Sequence, residues 1–238
     1  MLIRLLRSIW TSMRSKDAGT SNNTKKYQKY SPAVFHTSDI EKAKYIILTP
    51  TPEMTTDERW EIETRNLSDE LGLALKLNPE SRILDFGCGI GRIAKALIER
   101  YGCTVVGVDI SENMRKFSID YVNSERFSAC DPAALDQMIK NGFHATGAYA
   151  CWVLQHCHSP GDEIERIHSA LVQGSPFFVL NSNNRLVPTD GGWASDDISI
   201  ENLLAEKFET ISRFSVSQLV VSKTLADQSY GMLLKARS

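Results

Sequence analysis

The stretch Ile83-Leu84-Asp85-Phe86-Gly87-Cys88-Gly89-Ile90-Gly91-Arg92 constrains what this chain can fold into more than any other. An apolar run carrying one acid meets three glycines at alternate positions, and a helical pattern (Ile93, Ala94, Ala96, Leu97, Ile98) follows at once. This order predicts a buried parallel strand, a tight turn and a helix start. Glycine at 87 and 89 removes the Cβ atoms that would hold a ligand off, and Gly91 lets the helix begin close against the strand. Turns of this kind bring backbone N–H groups up to a nucleotide-like ligand.

Two ligand classes compete for such a turn. Dinucleotide binders place the third glycine five residues after the first, which here is Arg92, whereas the third glycine arrives one residue early at Gly91. Asp85, two residues before the first glycine, would repel a pyrophosphate but attract a cation. An NAD-dependent oxidoreductase is therefore the weaker alternative. The segment resembles motif I of the class I S-adenosylmethionine (SAM)-dependent methyltransferases: an aliphatic pair, Asp, any residue, then G-x-G-x-G. SAM carries a sulfonium and an ammonium and no phosphate, which suits the acid.

Later segments extend the resemblance in order and spacing. Thr104 to Asp109 is a second β-branched run ending in an acid, where the family places its ribose contact. Ser111 can cap the next helix, with Met114 on its inner face. Phe127 to Asp131 reads as a third strand. The family implies that Asp131 lies beside the adenine, although a plain helix N-cap before Pro132 is the alternative. Gly147 to His156 resembles the fourth strand and the following turn of small-molecule methyltransferases. Strands four and one flank the switch point where ligands bind in open α/β sheets. The resemblance thus implies a cofactor set of Asp85, Gly87, Cys88, Gly89, Gly91, Asp109, Ile110, Met114, Asp131, Trp152 and Gln155, with S-adenosyl-L-homocysteine as product.

The expected fold is α/β: a Rossmann-like, doubly wound, mostly parallel seven-stranded sheet with an antiparallel edge strand, helices on both faces and an N-terminal helical extension. Strands are expected near 82–86, 104–109, 126–130, 146–152, 177–181, 208–222 and 229–236. Helices should begin near Gly91, Ser111, Pro132 and Pro160, with another over 199–206. Thr55 to Glu58 forms a capping box for a further helix whose inner face carries Trp60, Thr64, Leu67, Leu71 and Ala74. The methyltransferase domain is placed at 55–238, preceded by a linker and extension over 17–54.

Residues 1–16 hold four basic side chains, no acid, and Leu2, Leu5, Leu6, Ile9, Trp10 and Met13 on one helical face. Such a helix can lie on an anionic membrane, act as a mitochondrial presequence, or dock on the protein itself. The net charge of −2 offers no global attraction to nucleic acid. Five cysteines without a C-x-x-C pair read as reduced thiols, so a cytoplasmic protein is expected, with peripheral membrane contact or a mitochondrial matrix location as alternatives. The oligomeric state is not legible.

For the methyl acceptor a small molecule is expected, with O-methylation the leading reaction and a sugar, glycan or lipid-linked intermediate among the candidates. His156 is the candidate general base, its alternative role being to shape the cofactor pocket. Acceptor contacts are sought in Arg59, Trp60 and Glu63, and in Asn183, Arg185 and Trp193 of the loop 181–193; a solvated helix face and an ordinary edge loop are the competing readings. No metal is expected, because the Cys151, His156, Cys157, His158 group lacks a second pair at zinc spacing. Amino methyltransferases of nucleobases and glutamine carry an Asn/Asp-Pro-Pro-aromatic turn where this chain has Cys151-Trp152-Val153-Leu154. A non-catalytic scaffold on the same fold is the alternative from another functional class.

Overall fold

The computed structural model describes residues 28–237, so the basic helix expected over 1–16 and the linker up to residue 27 lie outside the described residues. The elements are α1 (Ile40–Ile47), α2 (Thr56–Ala74), β1 (Arg82–Phe86), α3 (Arg92–Tyr101), β2 (Thr104–Val108), α4 (Glu112–Val122), β3 (Phe127–Cys130), α5 (Pro132–Lys140), β4 (Gly147–Cys151), α6 (Pro160–Ser169), β5 (Pro176–Ser182), β6 (Val187–Thr189), β7 (Gly192–Ala194), α7 (Ile200–Lys207), β8 (Phe208–Ser215), α8 (Lys223–Gln228) and β9 (Ser229–Ala236). Short 3-10 turns cover Pro32–Phe35 and Leu154–His156.

One sheet runs β3-β2-β1-β4-β5-β9-β8. Its first five strands are parallel, while β9 runs antiparallel to both β5 and β8, giving the expected antiparallel pair at that edge with the reversed strand one place in. The order reverses between β1 and β4, so their carboxyl ends open the switch point. Alternation along each strand splits the core. Leu84, Phe86, Val106, Ala148 and Val179 pack on one face with Leu135 of α5, Ile164 of α6 and Leu204 of α7. Ile83, Val105, Tyr149 and Phe178 pack on the other with Leu67 and Leu71 of α2 and Leu97 of α3.

The capping box at Thr55 and Glu58 starts α2. Its buried face differs from the expected one, for Arg59 and Glu63 lie inward with Leu67 and Leu71. A bidentate pair between them, Nε–Oε1 at 2.7 Å and Nη2–Oε2 at 3.0 Å, lets both charges go under. Three further departures concern short elements. The segment 33–49 contains α1, begun by Asp39, whose side chain accepts the Glu41 and Lys42 N–H groups. The loop 181–197 folds back as the hairpin β6–β7. The expected strand 208–222 stops at Ser215 after a bulge at Thr210/Ser212, and α8 follows. Among the described residues no helix is long and apolar enough to cross a membrane.

Candidate active site

Gly87, Gly89 and Gly91 take φ values of +81°, +54° and +78°, the left-handed region that side chains avoid. What presses on them is protein. A Cβ at Gly87 would lie 2.5 Å from Val153 in the turn after β4, one at Gly89 2.7 Å from Ile47 of α1, and one at Gly91 2.6 Å from Val122 of α4. The turn is thus the point where three segments converge, and α1 rests directly on it through Ala43, Ile47, Ile90 and Met114.

The expectation that the turn offers its N–H groups to a ligand needs correction. The Gly87 and Cys88 N–H groups both donate to the Val108 carbonyl, Gly89 donates to Asp109 Oδ2 at 2.9 Å, and Gly91 donates to the Cys88 carbonyl. A nest for a pyrophosphate needs free N–H groups, so these bonds weigh against a dinucleotide. Two acids dominate instead. Asp85 is buried at the end of β1, and burial pushes its carboxyl up to about 7, with nearby Asp109 adding to the rise. Tyr149, its register partner on β4, and the buried Arg92 pull the other way. The Tyr149 hydroxyl lies near that carboxyl but makes no close hydrogen bond. Among the described residues this buried acid has no ion pair, which suits a ligand that brings a cation.

Asp109 is held by two N–H groups, Gly89 on Oδ2 and Ser111 on Oδ1 at 2.8 Å, with burial raising its pKa. Each oxygen keeps lone-pair capacity for a ribose hydroxyl. Ile110 is 45% exposed, a flat apolar surface beside this acid that an adenine can cover. Asp131 caps α5 by accepting the Ala134 N–H at 2.8 Å, and its second oxygen lies 3.8 Å from Arg115. It does what the plain N-cap reading foresees while staying partly open. Met114 is buried under α1. The Cys88 thiol turns away from the cleft, packing where a Cβ on Gly107 would come within 2.8 Å of its Sγ, so this residue offers backbone alone.

The turn after β4 forms the second wall. Trp152 adopts φ +54°, a conformation rare for an aromatic residue, and its indole N–H donates to Ser229 Oγ at 2.9 Å. Gln155 is buried and engaged at both ends of its amide. Its Oε1 accepts the Ser182 N–H at 3.2 Å, which orients the amide so that Nε2 faces His156 Nε2 at 3.3 Å. His156 Nδ1 lies 2.7 Å from the Leu186 carbonyl, which can only accept, so Nδ1 carries the proton and Nε2 receives the amide. Burial lowers its pKa to about 4.

Around His156 gather rings that no local signal links. Its ring centroid is 5.6 Å from Phe35 and 5.3 Å from Trp193, while Phe35 and Trp193 are 6.1 Å apart. Residues 29–31 run along the hairpin as a strap: Ser31 N–H donates to the Pro188 carbonyl, Asp190 N–H donates to that of Lys29, and Tyr30 bridges Thr189. Tyr30 also stacks on His158.

The expected acceptor residues therefore separate. Trp193 joins the aromatic group. Arg185 is buried, pairs bidentately with Asp196 at 2.7 and 3.0 Å and bonds the Leu154 and Cys157 carbonyls, so it ties the loop down. Asn183 is exposed and borders a separate polar hollow of about 460 Å³ by Arg213, Ser229 and Tyr230. Arg59 binds Glu63 and the Thr49 carbonyl, and Trp60 donates to the Tyr121 hydroxyl at 3.2 Å on the far side of α2. Tyr30 lies in the stretch read as a linker and Phe35 in the extension that follows it, and nothing nearby in sequence marks either.

A family profile described as a methyltransferase domain matches residues 59–221. Geranyl diphosphate 2-C-methyltransferase of Saccharopolyspora erythraea is 34% identical over 106 residues, 43% of this chain and 34% of that protein. The O-methyltransferase resE of Aspergillus sclerotiorum is 25% identical over 134 residues, 53% of this chain and 49% of that one. The chain thus spans a third to a half of the length of these relatives. Among solved structures, the 1,6-didemethyltoxoflavin-N1-methyltransferase of Burkholderia thailandensis, holding S-adenosylhomocysteine, aligns over 76% of this chain and 82% of its own, with 22% identity and a TM-score of 0.56. The acids and closed N–H groups of this chain's turn are in keeping with a cofactor of the kind that structure holds. The chain belongs to the methyltransferase-domain family, that of the class I SAM-dependent methyltransferases.

Proposed function

We propose that the protein methylates an oxygen of a small molecule docked over the carboxyl ends of β4 and β5. The named relatives divide among carbon, nitrogen and oxygen acceptors, so the choice rests on this chain's own residues. The observation that carries it is the pairing of an acid-lined donor cleft with a ring-lined mouth across the turn after β4. SAM, when bound, supplies an electrophilic methyl on a sulfonium sulfur. Asp85 and Tyr149 would hold its cationic end and Asp109 its ribose. Val153, seated on Gly87, joins the two walls.

His156 then orients the mouth and does not act as a strong base. With its pKa near 4 and its Nε2 engaged, it has little basicity at neutral pH. Transfer must rely on alignment and on the exclusion of water by α1 and the strap. A polyol with weakly acidic hydroxyls is poorly served by such a site, which moves the reading away from a sugar or glycan. Incubation with labelled SAM and extract fractions tests this. Label in methyl ethers supports it, and label confined to amines or carbon acceptors would replace it.

The scaffold reading has one observation in its favour. Phe35, His156 and Trp193 close on one another, while two hollows of about 450 Å³ lie elsewhere, one between α2 and α3 by Thr64 and Arg100 and the other by Asn183. Tight SAM binding without transfer to any extract fraction would favour it.

A further inference from the structure

We propose that the acceptor is a neutral, planar aromatic compound bearing a hydroxyl, gripped between Phe35 of the strap and Trp193 of the hairpin. The inference rests on the methyl-transfer reading and names the substrate class for that same site.

Three observations converge. First, the mouth is built from rings supplied by three distant parts of the chain: Phe35 after the strap, His156 in the turn after β4, and Trp193 on β7. They meet at tilted and edge-on angles of 52° to 66° with centroids 5.3–6.1 Å apart. A flat ring inserted between Phe35 and Trp193 needs them about 7 Å apart and parallel, which widens the 6.1 Å gap slightly and turns one ring through the 66° that separates their planes. Their carriers are joined by a few bonds between residues 29–31 and 188–190, so the strap and the hairpin carry the two walls as neighbours.

Second, the buried cations expected to meet the acceptor are already engaged. Every guanidinium nitrogen of Arg185 bonds Asp196, Leu154 or Cys157, and every one of Arg59 bonds Glu63 or Thr49. A phosphate or carboxylate in this mouth would meet committed cations and be desolvated without compensation. The His156 ring is itself uncharged, its proton fixed on Nδ1 by the Leu186 carbonyl. The lining therefore matches an uncharged ring in both shape and charge.

Third, the hydroxyl must be reactive without a strong base. A phenolic hydroxyl ionises near pH 10, far below an aliphatic alcohol. In the transfer the oxygen–methyl bond forms as the methyl–sulfur bond breaks, the electron pair of that bond passes to sulfur, and the phenolic proton goes to water. His156 needs only to hold its tautomer and orient the ring.

The probe is 2-naphthol, titrated calorimetrically into the full chain loaded with S-adenosylhomocysteine, with phosphoethanolamine and methyl glucoside as counter-probes. Wild type is expected to bind 2-naphthol at least tenfold more tightly than either. Trp193→Ala should weaken it tenfold or more, and Trp193→Phe should restore it to within threefold. SAM affinity should stay within twofold in both variants, which also shows that they fold; Phe35→Leu serves if Trp193→Ala does not. No binding of 2-naphthol, equal binding by wild type and Trp193→Ala, or preference for phosphoethanolamine would overturn the proposal. Failure of wild type to bind SAM would instead defeat the methyl-transfer reading.

Discussion

The donor and acceptor sides of this site are built by opposite means. On the donor side, contiguous residues do the work: the Asp85–Gly91 turn closes its N–H groups on Val108, Asp109 and Cys88 within one βαβ unit. On the acceptor side, rings from residues 35, 156 and 193 are brought together by the strap and the hairpin. A cleft made by a short segment keeps its chemistry as long as that segment folds. A mouth made by distant segments can change its preference by altering any of them, which accords with relatives that share the fold yet differ in acceptor.

The largest contrast should appear in stability. Glu63→Ala leaves Arg59 buried without its partner and should cost about 3–5 kcal/mol in urea denaturation. On the acceptor side, Asp196→Ala removes a carboxylate that is 39% exposed, and a loss of about 1–3 kcal/mol is expected. Equal losses would erase the distinction between a fully buried ion pair and one whose acid is part-exposed.

Ligand binding gives the next effect. Asp109→Ala removes both the ribose acceptor and the anchor of Gly89 and Ser111, and SAM affinity should fall roughly 10- to 100-fold by calorimetry. An unchanged affinity would remove the ribose assignment. A smaller effect is expected at His156. Replacement by Asn should slow transfer less than about tenfold, since a true general base is worth about 10²- to 10⁴-fold. A thousandfold loss would restore His156 as the base.

The smallest effect is a pH dependence. With its folded pKa raised to about 7, Asp85 is largely protonated in the free protein at pH 6 and ionised at pH 8. A cationic ligand favours the ionised form, so SAM affinity should rise across this interval and level off above it. The same shift means that folding stability contributed at this position declines as pH rises from about 4 through 7, because the folded state holds the proton longer than the unfolded chain. Asp85→Asn should flatten the affinity profile.

Legibility in sequence divides along the same line. Strands β1 to β5 and helices α3 to α6 show plainly in alternating apolar runs with Gly, Ser and Pro at their boundaries. The acids at 85, 109 and 131 stand at strand ends where a pattern can find them. The direction of the turn's N–H groups could not be read, because it depends on the Val108 carbonyl of the neighbouring strand. Arg59 and Glu63 read as acceptor contacts or as a solvated face, and their pairing shows instead how both can be buried. The hairpin strands have three residues each and owe their register partly to Tyr30, more than 150 residues earlier. Likewise Arg185 reads as a ligand contact because its residue type suits ligands, whereas Asp196 takes up its charge.

The central claim is that the glycine turn presents acids to a cation, with the N–H groups of Gly87, Cys88, Gly89 and Gly91 bonded within the protein and so withheld from a pyrophosphate. The direct measurement is calorimetric titration of the full chain at pH 7.5 with SAM and, separately, with NAD. A single SAM site with no heat from NAD is the predicted result. NAD binding as tight as SAM, at a site that SAM displaces, would contradict it.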